Sequence, residues 1–147
     1  MANKKGAGAR TRSRELMVQA LYQKQIAGHT TSDLVEQFHE QAAYQRVDKA
    51  YFDELFPAIS NSQDELELKI DELIDRPLNQ LDPVELAVLL IGVHELQARI
   101  DIPYRVVINE SVNLAKRFGS IEGHKYINAC LDTAAKSIRE IEIQAQG

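Results

Sequence analysis

A single cysteine, Cys130, among 147 residues excludes an intramolecular disulfide and any zinc centre built from several thiolates. No apolar run approaches the roughly 18–20 residues that a membrane-spanning helix needs. The N-terminus also lacks the apolar core of a secretory signal. A reducing cytoplasm is the simplest home for such a chain. The four histidines, His29, His39, His94 and His124, show neither an i,i+4 pair nor a His-Glu-x-x-His spacing, so no metal centre is expected. Gly119 and Gly123 are not followed by Lys-Ser/Thr and no strand pattern precedes them, which removes a phosphate-binding P-loop. The acids at Asp64, Glu65, Glu67, Asp71 and Glu72 interleave with apolar positions and read as a solvated helix face, not as a general acid–base pair. Cys130, with Ile127, Leu131 and Ala134 nearby, reads as core filler. The chain reads as a non-enzyme without a cofactor.

What the sequence does have is an uneven charge distribution. Residues 1–14 carry Lys4, Lys5, Arg10, Arg12 and Arg14 and no acid, whereas the remainder holds 12 Lys or Arg against 22 Asp or Glu. The net charge of −5 therefore hides a basic arm on an acidic body. That layout suits nucleic-acid binding, and it equally describes a solvated tail. Residues 1–9 are small and glycine-containing, and are expected to form a flexible arm ahead of a single domain over 10–147.

No alternating strand pattern is present, and the apolar spacing predicts about seven helices. The first runs from Arg12, with Leu16, Met17, Ala20, Leu21 and Ile26 inward and Gly28 as its stop. This puts Arg10, Arg12 and Arg14 at a helix N-terminus, an unfavourable place for cations that a bound anion would relieve. A short second helix carries Leu34, Val35 and Phe38. A third, 47–59, turns Tyr51, Phe52, Leu55 and Phe56 inward until Pro57 kinks or ends it. Ser62-Gln63-Asp64-Glu65 offers a capping box for a fourth helix with Leu66, Leu68, Ile70, Leu73 and Ile74, closed by Arg76-Pro77.

The central element follows. Asp82 as cap, Pro83 at the first helical position and Glu85 three residues after the cap mark its start. Nine of the thirteen residues from Val84 to Leu96 are Val, Leu, Ile or Ala and cover every side of a helix, so other helices must surround it. A sixth helix bears Val106, Val107, Ile108, Val112, Leu114 and Ala115 and ends at Gly119. Ser120 or Gly123 leads into the last one, which bears Tyr126 through Ile141. The fold class is an all-α bundle.

Between the last two helices Lys116, Arg117, Phe118, His124, Lys125, Tyr126 and Asn128 crowd one turn. Aromatics that stack, cations that meet phosphates and an amide that reads base edges are the components of single-stranded RNA recognition. The competing reading makes Phe118 a helix-end anchor and turns Tyr126 toward the core.

The order of motifs resembles the NusB family. The matching stretches are Arg10-x-Arg-x-Arg-Glu-Leu-x-Val-Gln-Ala-Leu-Tyr22, Leu81-Asp-Pro-Val-Glu-x-Ala-Val-Leu89, Ile102-Pro-Tyr-x-Val-Val-Ile-Asn-Glu-Ser-Val-x-Leu-Ala-Lys-Arg-Phe-Gly119 and His124-Lys-Tyr-Ile-Asn-x-x-Leu-Asp132. The resemblance implies about seven helices in two packed three-helix bundles. It implies an antitermination factor that binds boxA RNA of nascent ribosomal transcripts with NusE, a small-subunit ribosomal protein, and joins NusA, NusG and RNA polymerase without catalysis. It assigns RNA contacts to Arg10, Arg12, Arg14, Phe118, Glu122, Lys125 and Tyr126, and partner contacts to Glu85 and Tyr22. No membrane is involved, and the chain is a monomer or homodimer. Thr11 and Ser13 interrupt arginines that the family often has in succession, and Ala129 stands where a glycine is common. The alternatives are a NusB-fold interaction module without RNA recognition and a fragment of an RNA cytosine methyltransferase. The second would need a catalytic cysteine motif that this chain lacks.

Overall fold

The computed structural model describes residues 2–119 and 121–146, with side chains from Gly8 onward except that of Ile121. The described residues form eight α-helices and two short 3-10 turns, with no strand. They divide into two compact units, 1–63 and 64–147. No described helix is long and apolar enough to cross a membrane.

The first unit holds α1 (Ala2–Ala27), α2 (Thr31–His39) and α3 (Lys49–Asn61). Leu16, Met17, Ala20 and Leu21 of α1 meet Leu34 and Phe38 of α2 and Tyr51, Phe52, Leu55, Phe56 and Ile59 of α3 in one apolar core. Ile26, expected inward, is instead 62% exposed, because its turn lies at the end of the helix. The stop at Gly28 is as expected: its φ of +72° is a conformation that glycine adopts without strain. α2 starts at a cap in which Thr30 Oγ1 accepts from the Asp33 N–H at 3.1 Å. Pro57 does not end α3. The helix continues one turn to Asn61, which places Ile59 in the core. Ser62 closes α3, its N–H donating to the Ala58 and Ile59 carbonyls, so it does not serve the expected capping box.

α1 begins ten residues ahead of Arg12, where the apolar pattern starts. Once a turn exists, each further residue adds one hydrogen bond at little cost, so a helix can extend past its buried face. Arg10, Arg12 and Arg14 consequently lie inside α1, beyond its first turn, and the expected clash with the N-terminal dipole does not arise. The side chains of Lys4 and Lys5, and the residue Ser120, lie outside the described residues.

A polar knot sits beside the first core. Buried Tyr44 donates its hydroxyl to Asp53 Oδ2 at 2.7 Å, and His39 Nε2 lies 2.7 Å from the other oxygen of that carboxylate. Burial, then the hydrogen bond to Asp53 and its charge, push the Tyr44 hydroxyl up to about 12. Protonated Tyr44 is favoured by folding, so its contribution is complete below the ordinary tyrosine value of 10 and is lost as pH rises from there through about 12. An absorbance titration should show a late tyrosinate step near pH 12 that disappears in Tyr44→Phe. A Tyr44→Phe curve identical to that of the parent would disprove the assignment.

The second unit holds α4 (Gln63–Asp71), α5 (Pro83–Ala98), α6 (Tyr104–Phe118), α7 (Ile121–Ile138) and α8 (Glu140–Gln146), with α6 and α7 packed on α5 and α8 on α7. The α5 start follows its local sequence. Asp82 Oδ1 accepts from the Val84 N–H at 2.7 Å, while Glu85 Oε1 accepts from the Asp82 N–H at 3.3 Å. Every residue from Leu86 to Val93 is buried. Gly92 lets the neighbours approach: a Cβ there would lie 2.9 Å from both Leu131 Cδ1 and Ser111 Oγ. α4 stops at Asp71, and its chain tightens into i→i+3 bonds at Glu72 and Leu73. Leu68 is 72% exposed, because the Leu66–Ile70 spacing points only those two inward. The expected last helix breaks at Arg139 into α7 and α8.

Candidate nucleic-acid interface

The arginines of α1 are not equivalent. Arg14 is only 3% exposed and its guanidinium carbon lies 5.4 Å from the Tyr51 ring centroid. Arg10 lies over the same ring at 4.4 Å, with its Nε 3.9 Å from Asp48 Oδ2. Two further bonds fix α1 to the start of α3. The Asp48 N–H donates to the Ala9 carbonyl at 3.0 Å, and Ser13 Oγ donates to the Asp48 carbonyl at 2.8 Å. Arg12 projects from the opposite side of the helix and is exposed. Of the three, Arg12 is fully presented to an external anion, Arg10 partly so, and Arg14 is committed to packing. The structure thus brings Arg10 and Arg14 together on Tyr51 and leaves Arg12 apart. Tyr22, on the same helix, is 42% exposed with Ile26 one turn away. These two form a small apolar strip that spacing alone had assigned to the core at Ile26.

The second unit carries the loop residues. α6 ends with Lys116 and Arg117 exposed and Phe118 half-buried, and the Arg117 guanidinium lies 5.6 Å from the Phe118 ring centroid. Gly119 closes α6 as expected, with a φ of −116° that is open to any residue. What requires glycine is space, since a Cβ would sit 2.9 Å from the Ala115 carbonyl oxygen. On the first turns of α7, Glu122 Oε1 and Lys125 Nζ face each other at 3.8 Å, both well exposed. A surface pair of this kind contributes about 0–1 kcal/mol, so Lys125 remains free to exchange its partner for a phosphate.

Tyr126 is half-buried and more constrained than either sequence reading supposed. Its hydroxyl donates to Asp75 Oδ1 at 3.1 Å and accepts from the Asp75 N–H at 3.3 Å. The Arg76 guanidinium covers one ring face at 4.2 Å from the centroid. Asp75 is held below the usual carboxylate range, first by its hydrogen bond from Arg76 and then by that from Tyr126. Burial pushes the Tyr126 hydroxyl up. Glu85 lies near enough to favour the charged form of Arg76. Arg76 is therefore a site residue that sequence reasoning missed: it had been read only as a helix terminator, and fifty positions separate it from Tyr126. Cys130, one turn behind, is buried with its thiol donating toward the Leu73 carbonyl, and burial raises its pKa. The core-filler reading of Cys130 holds.

The NusB family model matches residues 11–136 of this all-helical chain. The chain belongs to the NusB family. Its relatives include the transcription antitermination protein NusB of Pseudomonas savastanoi pv. phaseolicola, 44% identical over 142 residues that cover 96% of this chain and 86% of the relative. The Marinomonas protein of the same name is 47% identical over 139 residues, covering 93% and 80%. In three dimensions the chain is similar to T. maritima NusB at a TM-score of 0.70 and 29% identity, with 87% of this chain and 91% of that one covered. The NusB match spans both units, so Arg12, Arg14 and the α6–α7 turn fall within it, with Arg10 just ahead of its first residue.

Proposed function

We propose that this chain is a transcription antitermination factor that binds boxA RNA of nascent transcripts together with NusE, and acts with NusA, NusG and RNA polymerase by assembly, without catalysis. Family membership across residues 11–136 is the observation that carries this reading. Residues 1–9 extend the basic surface as an arm, and 10–147 form the RNA-binding domain. Arg12 and Arg10 meet phosphates, as does Lys125, while the rings of Tyr126 and Phe118 stack on bases. Arg14 orders the α1 surface through Tyr51, and Glu122 holds Lys125 until RNA replaces it. Glu85 at the α5 start and Tyr22 are the contacts assigned to NusE. Work on nascent RNA places the protein in the cytoplasm.

Fluorescence anisotropy with boxA RNA and a scrambled control, with and without NusE across a salt series, tests the proposal. Preference for boxA that NusE strengthens is the expected result. Equal, purely salt-driven binding to both RNAs would leave a basic surface without a reader, and absence of binding would favour a protein-interaction module. Each phosphate contact on a single strand contributes about −0.7 to the log–log salt slope. Arg12→Ala should flatten the slope by about that amount without changing the melting temperature. Arg14→Ala should lower the melting temperature and leave the slope nearly unchanged. The reverse assignment of the two effects would refute the division of labour along α1.

A further inference from the structure

A second recognition element lies on the same helical hairpin, away from the turn. α6 ends at Phe118 and α7 begins at Ile121, so the two helices run antiparallel through a very short link. Their register is fixed by the close approach at Gly92, which brings Ser111 and Leu131 to one level. At the far end of this pair an open cavity of about 430 Å3 is lined by Tyr104, Arg105, Ile108, Asn109 and Asp132. Tyr104 is anchored, its N–H donating to Glu142 Oε2 at 2.9 Å. Arg105 donates through Nε to the Tyr104 hydroxyl at 3.1 Å, which leaves its terminal nitrogens available. Asn109 and Asp132 are exposed, and neither side chain takes part in a hydrogen bond or ion pair of the described chain.

The composition of this face is not what helix stability would select. Asparagine is a poor residue for a helix interior, where its amide competes with the backbone. Yet half of the six asparagines in the chain, Asn109, Asn113 and Asn128, lie exposed within α6 and α7. By the register above, Asn113 stands opposite Asn128, one turn from the Asn109–Asp132 level and one turn from Lys116 and Lys125. A ladder of uncommitted amides thus leads from the cation-and-aromatic turn to the cavity. Asn109 lies nine residues from Phe118, about 14 Å along the helix, a reach that an extended RNA strand covers in a few nucleotides.

We propose that this cavity is a base-binding subsite for a guanine of single-stranded RNA, reached along the asparagine ladder from the turn between α6 and α7. This inference rests on the RNA-binding reading above. Asp132 can accept from both N1–H and N2–H of guanine, the base whose Watson–Crick edge offers two adjacent donors to a carboxylate. Tyr104 and Arg105 present a ring and a planar guanidinium against which the base lies, and the Arg105 terminal nitrogens reach the flanking phosphate.

The test uses the full chain and a series of single-stranded RNAs. The series begins with one short enough to occupy only the turn and is extended one nucleotide at a time, with guanine or adenine at each added position. The wild type should gain affinity at one added position, and only with guanine. Asp132→Asn, which keeps size and exposure, should abolish that guanine preference, and Asn109→Ala/Asp132→Ala should lose roughly ten-fold on the longer RNAs. Both variants should bind the shortest RNA as the parent does, with unchanged melting temperatures. Unaltered length and base dependence in both variants would overturn the subsite while leaving the turn as an RNA site. Loss of binding to a protein partner, with the RNA profile intact, would overturn it in favour of a protein contact. Failure of the wild type to bind any RNA would sink the subsite along with the reading on which it rests.

Discussion

Leu90→Asp should leave the second unit unfolded at room temperature. Leu90 has no exposed surface and lies midway along α5, whose neighbours on every side are themselves buried. The substitution gives up roughly 1.5–3 kcal/mol of side-chain burial. It also places a carboxylate where desolvation costs several kcal/mol even after relaxation. Together these rival the roughly 5–15 kcal/mol that stabilises an ordinary domain. Circular dichroism should show a large loss of helix and no cooperative transition for the residues of that unit. Leu90→Met, close in volume, should cost less than about 1.5 kcal/mol and serves as the control. A folded Leu90→Asp protein melting at the parental temperature would refute the central place given to α5.

The second large effect belongs to Arg139, a residue that no motif singled out. It is 4% exposed and stands where α7 gives way to α8. Its Nε donates to the Leu96 carbonyl at 2.8 Å, and its Nη2 donates to the carbonyls of Arg99 at 2.9 Å and Glu95 at 3.3 Å. These belong to the last turn of α5 and the residue after it, where a cation meets the negative end of the dipole; the Glu95 and Arg99 carbonyls also accept from the Arg99 and Ile102 N–H groups. Nη1 donates to Glu142, whose other oxygen accepts the Tyr104 N–H at the start of α6. One ion pair thus caps the end of α5 and the beginning of α6, and the break between α7 and α8 is where the chain turns to deliver it.

Arg139→Ala should therefore cost about 3–5 kcal/mol, because it removes the donor to the Leu96 carbonyl and leaves a partly buried carboxylate without its cation. Urea unfolding should show a lower midpoint at an unchanged slope. Arg139→Lys should recover little, since a point charge cannot span three carbonyls and a carboxylate. The pH dependence gives an independent check. Burial opposes ionisation of Glu142, but the Tyr104 N–H and Arg139 outweigh it and hold its carboxyl below the usual range. With the folded pKa depressed, the contribution is present above the ordinary glutamate value and fades as pH falls through the lowered one. The variant should lose that part of its acid sensitivity. A parental midpoint in Arg139→Ala would show that water replaces the guanidinium without penalty.

The candidate interface was legible in the sequence as residue types and much less as geometry. Lys125, Glu122 and the exposed Arg12 stand on the surface as their chemistry suggested. Arg14 looked identical to Arg12 in sequence, yet the two lie on different sides of α1 and only one meets Tyr51. Tyr126 was poised between a stacking role and a core role. The ring takes both, with one face against Arg76 and the hydroxyl on Asp75. Nothing local distinguishes Arg76 from any other arginine that precedes a proline.

By itself the sequence determined the features that depend on neighbours within a turn or two. These are the Asp82–Pro83–Glu85 start of α5, the positive-φ stop at Gly28, the all-round burial of α5 and the helical class. Hydrogen bonds at i,i+3 and hydrophobic spacing act over that range, so they can be read along the chain. The tertiary structure alone decided where a helix continues past its signal, as at Pro57, and which apolar residues stay in water, as at Ile26, Leu68 and Ile141. It alone decided which cations are spent on packing, as Arg14, Arg76 and Arg139 are. Their partners are an aromatic ring, a tyrosine and a set of carbonyls lying roughly 40–50 residues away in the chain, and long-range contacts of that kind exist only once the helices have packed.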